Sequence, residues 1–220
     1  MTNFDQAREN MVECQIRTNG VYEEQILDVF RTIPRESFLP ADKKGVAYVD
    51  EDVSIGANSF LLEPRVHARM LQSVKPDADD VVLNINDCTG YSSALFSTIV
   101  STVVTINDEH CALEAAKTIW DQLDCNNIVV FDAAASTGAP KHGPYNIIFI
   151  NGAVAQLPQT LLKQLAIGGR LIGIVKPADQ QHGVVTLAEC TGKDEYTSTK
   201  LFDAAACYVS GFEAEQPFKL

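Results

Sequence analysis

Residues 81–96, VVLNINDCTGYSSALF, run an apolar strand (Val81–Asn86) into a short turn, Asp87-Cys88-Thr89-Gly90, and then into a helix-like stretch. Chains with that order often hold a cofactor over the turn, because glycines there let backbone approach a ligand. Here one glycine, Gly90, stands in the turn. Neither a G-x-G-x-x-G run nor a phosphate loop ending in lysine is present, so a nicotinamide dehydrogenase or phosphate-loop enzyme is disfavoured. The turn is placed to meet a ligand, and an acidic residue ending the second strand of such a chain commonly takes ribose hydroxyls. Cys88 has no histidine near it in sequence to activate a thiolate, and reads as a small buried residue rather than a nucleophile. Upstream, Leu62, Arg65 and His67 mark the start of a helix. Arg65 reads equally well as an exposed first-turn arginine and as a contact for a carboxylate, and His67 as a packing residue.

The elements that must position these residues follow from periodicity. FDQARENMVECQ places Phe4, Ala7, Met11 and Cys14 on one helical face, and VYEEQILDVFRTI does the same with Tyr22, Ile26, Val29, Phe30 and Ile33 before Pro34 stops it. EPRVHARMLQSV is a third helix, with Pro64 in its first turn. From Val81 onward short apolar strands alternate with amphipathic helices: TVVTIN, NIVVF, YNIIFIN and RLIGIV follow the first strand. A helix around Ala112, Ala115, Ile119 and Leu123 and another from Pro158 through Ala166 are expected between them, the latter broken by Gly168-Gly169. Three further strands, GVVTLAEC, EYTSTKLF and ACYVSGF, are expected in the tail. That pattern predicts a doubly wound, mainly parallel α/β sheet (residues 77–220) ending in antiparallel strands, preceded by a helical segment with a substrate-side loop (residues 1–76). In such a sheet the ligand sits beyond the carboxyl ends of the strands. The common occupant that needs no phosphate cradle is S-adenosylmethionine.

Composition narrows the partners. With 29 acidic against 17 basic residues in 220, the net charge of −12 repels phosphate backbones, and nucleic acid is excluded as a partner. No apolar run reaches the roughly 20 residues of a membrane span. The first residues, MTNFDQAREN, lack a signal-peptide pattern, and the six scattered cysteines read as reduced thiols of a cytoplasmic protein with no metal-ligand spacing.

Five segments, in order, resemble the protein-L-isoaspartate O-methyltransferases. IPRESFLP is similar to the family's V-P-R-x-x-F-V-P, and AYVDEDVSIG to its A-Y-x-D-x-x-x-x-I-G. LLEPRVHARML lines up with I-S-x-P-H-x-x-A-x-M, VVLNINDCTGY with V-L-E-I-G-x-G-S-G-Y, and QLAIGGRLI with Q-L-x-x-G-G-x-L-V. The resemblance covers nearly the whole chain. It implies a class I S-adenosylmethionine-dependent methyltransferase fold and methyl transfer to a carboxylate of isoaspartyl-containing protein or peptide.

It also implies where contacts fall. The acid ending the first strand falls on Asn84, the first two glycines on Asn86 and Cys88, and the ribose-binding acid on Asn107 beside Asp108. The acid opening the fourth strand falls on Asn146, the substrate serine on Leu62 and the following histidine on Arg65, while Asp132-Ala133 keeps the adenine position. Asparagine tolerates positive φ, so Asn86 is the mildest of these changes. A neutral acceptor at Asn107 weakens a ribose contact about tenfold relative to a carboxylate. Methylating a carboxylate needs no strong base, since the group is already ionised, so catalysis is mainly positioning and exclusion of water. Two functions are therefore carried forward: a working methyltransferase, and a pseudo-methyltransferase of the same fold with impaired cofactor binding that serves as a binding or scaffold protein.

Overall fold

The structure, a computed structural model, describes residues 3–56, 59–107 and 113–214. Helix α1 (Phe4–Met11) starts where the Asn3 side chain accepts the Gln6 N–H, and a π turn (Val12–Ile16) prolongs it. α2 (Glu24–Thr32) buries Ile26, Leu27, Val29 and Phe30, whereas Tyr22, expected on that face, precedes the helix and is 73% exposed. A 3₁₀ turn (Arg35–Phe38) leads to a hairpin of β1 (Val53–Gly56) and β2 (Ser59–Leu61) in the segment expected as a loop. α3 (Pro64–Val74) opens on Pro64 and turns Val66, His67, Met70, Leu71 and Val74 inward.

The sheet begins with β3 (Val81–Ile85), followed by α4 (Tyr91–Ser97), β4 (Thr102–Asn107), α5 (Glu114–Gln122), β5 (Ile128–Asp132) and β6 (Tyr145–Val154). It continues through the single turn α6 (Gln159–Leu162), β7 (Leu165–Val175), β8 (Gly183–Gly192) and β9 (Glu195–Ala204). The strand order is β5-β4-β3-β6-β7-β8-β9. The first five are mutually parallel, and β8 and β9 add antiparallel. The chain leaves β3 towards β4 on one side and returns to β6 on the other. That reversal opens a crevice at the carboxyl ends of β3 and β6.

Both faces of the sheet are covered, so successive residues of its central strands serve different cores. Val82, Ile147 and Phe149 join Met11, Phe30, Met70 and Phe96 on one face, while Leu83, Ile148 and Ile150 join Leu161 and Leu171 on the other. The N-terminal segment thus shares a continuous apolar core with the sheet.

Three expectations are corrected. α5 buries Ala116 and Trp120, with Leu113 just before it; the expected Ile119 and Leu123 pack half-buried against the same core, Ala115 is exposed, and Ala112 lies outside the described residues. The helix from Pro158 stops at Leu162 because β7 starts at Leu165, before the glycine pair. ACYVSGF forms no strand and contributes one bridge, Ala153 to Tyr208.

Candidate functional site

Two residues of the β3–α4 turn adopt left-handed backbone: Asn86 at φ 61 and Gly90 at φ 81. Asparagine is among the few side chains that accept this region cheaply, so the turn survives the loss of a glycine at 86. Gly90 has no such latitude. A Cβ there would lie 2.4 Å from Ala116 Cβ and 2.8 Å from Trp120 Cζ2, both of α5. Trp120 Nε1 donates to the Gly90 carbonyl at 2.9 Å, pinning the helix to the turn.

Beneath the turn lies a closed polar network. Asp87 Oδ1 accepts from the backbone N–H groups of Gly90 (3.0 Å) and Ser92 (3.3 Å), and Oδ2 from that of Ser93 (2.6 Å) and from Asn84 Nδ2 (3.1 Å). Burial pushes the Asp87 carboxyl up from its ordinary range, while the backbone donors at Ser93, Ser92 and Gly90 favour its charged form. Asn84 Oδ1 accepts from Asn151 Nδ2 at 2.7 Å, and Asn86 Nδ2 donates to the Asn151 carbonyl at 3.0 Å. His67 Nε2 shares a hydrogen bond with Ser92 Oγ at 3.2 Å; burial first and the Arg35 charge second bring its pKa down to about 3, so the ring is neutral.

The residues at 84 and 87 are physically coupled. An acid at 84 would set a second carboxylate about 3 Å from Asp87, where two like charges cannot both ionise. Asn84 instead offers Asp87 a donor. Asp87 is thereby committed to the start of α4 and does not stand in for the missing acid of the first strand.

Above the turn a cleft of about 480 Å³ opens between four walls. They are Ser37–Pro40, Ile55–Gly56 with Ser59, the Cys88–Thr89 pair, and Ala115, Ala116 and Ile119 of α5. The described lining carries no charged side chain. Leu62 lies elsewhere: it is 2% exposed and packs in the apolar core. Arg65 is outside the lining too, its Nε paired with Glu63 Oε1 at 2.8 Å on the surface. Cys88 is buried as expected, yet it is disulfide-bonded rather than a reduced thiol. Its Sγ, 3.4 Å from Asn86 Oδ1, therefore has no proton to donate. Cys14, Cys125, Cys190 and Cys207 are free.

Strand register brings Asn107 and Asp132 together at the carboxyl ends of β4 and β5. Asp132 is exposed, Ala133 packs on the second apolar core, and Asp108 lies outside the described residues. Asn146 has a structural task at the other end of the sheet, its Oδ1 accepting the Val81 N–H at 2.9 Å.

Sequence patterns missed Arg35. It is wholly buried, donating from Nε to the Ala47 carbonyl (2.7 Å) and from Nη2 to the Leu62 carbonyl (2.6 Å), with its guanidinium carbon 5.3 Å from the centre of the Tyr91 ring. The signal was present in IPRESFLP, but nothing in that spacing says which carbonyls the arginine reaches.

S-adenosylmethionine is compatible with this site in size. The cleft falls within the size range of small-molecule sites and meets the left-handed turn at the strand-order reversal. Of the residues expected to hold it, Cys88 lines the cleft, while Asn107 and Asp132 stand at the ends of β4 and β5 outside the described lining.

A sheet of this order with its cleft at the β3–α4 turn has the architecture of the class I S-adenosylmethionine-dependent methyltransferases. Within that class the chain belongs to the Protein-L-isoaspartate(D-aspartate) O-methyltransferase family, whose sequence profile matches residues 6–210. A Rhodopseudomonas palustris (strain HaA2) relative, Protein-L-isoaspartate O-methyltransferase 1, is 32% identical over 92% of this chain and 82% of its own. A solved protein-L-isoaspartate O-methyltransferase shares the fold with a TM-score of 0.80 at 24% identity, covering 94% of this chain and 67% of that one. A Plasmodium falciparum protein assigned the same activity, solved with S-adenosyl-L-homocysteine, gives 0.74 at 16% identity over 96% and 99% of the two chains.

Proposed function

We propose that this protein transfers a methyl group from S-adenosylmethionine to the carboxylate of an isoaspartyl residue in damaged protein. Family membership supports the reaction, as do the names of the curated relatives. The observation that carries it to this chain is the cleft, which joins the Cys88–Thr89 pair of the turn to the β1–β2 hairpin in one space. When bound, S-adenosylmethionine would supply an electrophilic methyl group on its sulfonium sulfur for transfer to a carboxylate oxygen, the products being a methyl ester and a thioether. No proton moves, so the chain needs no base, and its neutral His67 is consistent with that. The protein's share is orientation and dryness. Phe38, Leu39, Ile55 and Ile119 exclude water from the cleft, the left-handed turn presents backbone to the cofactor, and Asn107 and Asp132 stand at the strand ends where a ribose and a base would lie.

One observation favours the second reading, a pseudo-methyltransferase. The amides of Asn84, Asn86 and Asn151 and the carboxylate of Asp87 bond to one another or to nearby backbone instead of facing the cleft. Calorimetric titration with S-adenosylhomocysteine separates the two, followed by methyl incorporation into an isoaspartyl peptide. Micromolar binding with turnover supports the enzyme; absence of both at millimolar ligand overturns it in favour of the binding protein.

A further inference from the structure

Resting on the methyltransferase reading, we propose that the Cys88 disulfide is a redox latch on the cofactor site. Oxidised, it holds the turn in a form that binds the cofactor weakly; opened by a dithiol, it lets the turn receive the cofactor. Two observations meet at this residue. Cys88 lines the cleft beside Thr89, in the turn whose backbone must approach the ligand. Cys88 is also disulfide-bonded, whereas Cys14, Cys125, Cys190 and Cys207 are free. Two of those four are exposed and two buried, so neither exposure nor burial sorts the bonded cysteine from the free ones. What sets Cys88 apart is its place in the wall of the cleft.

The turn around Cys88 is otherwise fixed. Asp87 Oδ2 accepts the Ser93 N–H at 2.6 Å, Asn86 Nδ2 donates to the Asn151 carbonyl at 3.0 Å, and Trp120 Nε1 holds the Gly90 carbonyl at 2.9 Å. A disulfide keeps the two Cβ atoms it joins roughly 3.5–4.5 Å apart. Bonded, Cys88 therefore keeps a second half-cystine against the turn, and the turn cannot adjust to a ligand unless that residue moves with it. Reduction removes the tether: the protein disulfide and a dithiol exchange two electrons and two protons, giving two protein thiols and the disulfide of the reductant. The Cys88 thiol then has a proton to donate to Asn86 Oδ1, 3.4 Å away, which aims it along the turn rather than into the cleft. The state of the site is thus set by the thiol–disulfide balance around the protein.

The test uses the full-length chain purified without reductant and divided, one half being treated with a dithiol. Alkylation of the denatured protein, read by peptide mass spectrometry, should label Cys14, Cys125, Cys190 and Cys207 in both halves and Cys88 in the reduced half alone. Calorimetric titration with S-adenosylhomocysteine should show roughly tenfold or more tighter binding in the reduced half, and oxidised glutathione should restore the weak form. Cys88→Ser forms no such bond, so its affinity should be the same with and without dithiol. The comparison within wild type decides the matter even where that variant fails to fold. Equal or tighter binding in the oxidised half, alkylation of Cys88 before reduction, or a dithiol response that persists in Cys88→Ser overturns the latch and leaves the methyltransferase reading standing. If reduced wild type and Cys88→Ser both fail to bind at millimolar ligand, the methyltransferase reading falls and the latch with it.

Discussion

Gly90 and Gly168 offer a matched pair for measuring how tightly α5 closes on the cofactor turn. Both sit in left-handed backbone, at φ 81 and φ 79. Their surroundings differ: a Cβ at Gly168 would meet nothing within 4 Å, while one at Gly90 would lie 2.4 Å from Ala116 Cβ and 2.8 Å from the Trp120 ring. Gly168→Ala should therefore cost only the backbone penalty, about 1 kcal/mol. Gly90→Ala adds an overlap that needs α5 to retreat by about 1 Å, for roughly 1–3 kcal/mol of overpacking, and it endangers the Trp120–Gly90 hydrogen bond, worth about 1 kcal/mol. The expected total is about 3–5 kcal/mol, at least ~2 kcal/mol beyond the Gly168 variant. Urea denaturation followed by the fluorescence of Trp120 measures both. Adding Ala116→Gly removes the nearest clash, and the double-mutant cycle should return a coupling of about 1–2 kcal/mol. Equal losses at the two glycines, or no coupling with position 116, would refute the close packing of α5 on the turn.

Asn84→Asp should destabilise the fold by several kcal/mol or force one carboxyl to stay protonated, because it faces Asp87 across about 3 Å; Asp87→Thr in the same chain should recover the loss, as read by denaturation at pH 7 and pH 5. His67 has a folded pKa of about 3 against an ordinary 6.5, so its contribution is full above pH 6.5 and lost as pH falls towards 3, by about 1.4 kcal/mol per pH unit. That slope should shrink in His67→Gln. Asp52, pushed up to about 6 chiefly by burial, works the other way: stability is greatest below about pH 4 and declines as pH rises through 6, and the decline should vanish in Asp52→Asn. Leu62→Ser should cost about 2–4 kcal/mol in thermal or urea unfolding and give no gain in peptide methylation, since the hydroxyl would enter an apolar core.

Much of the fold was legible because the sheet's strands are short and apolar. VVLNI and YNIIFIN carry side chains for two cores at once, and such continuous runs mark strands buried on both faces. Pro64 and the αL asparagine at 86 were readable for the same local reason: one residue type suits one backbone state. The face of α5 was legible at Ile119 and Leu123, which pack on the core, but exposed Ala115 was set on it and the buried Ala116 and Trp120 were left off, because small alanines on both sides blur the stripe. The helix after Pro158 was drawn too long because a strand beginning at Leu165 looks like helix until its pairing with β6 is known. Within the site, the turn and its changed residues could be named in advance. The contact between the Asn84 amide and the Asp87 carboxylate could not, since it depends on side chains meeting across the bend.

Arg35 has a consequence for motion. Its guanidinium is anchored through Nε and Nη2 by the Ala47 and Leu62 carbonyls while the buried Nη1 has no hydrogen-bond partner among the described residues, so detaching the hairpin's junction with α3 would strand a cation in apolar surroundings at a cost of several kcal/mol. The neighbouring Glu63 amide, which donates to Asp52 Oδ1 at 2.8 Å, is sealed under the same clamp. Hydrogen exchange there should proceed only through global unfolding, which makes this end of the substrate wall a fixed post rather than a door.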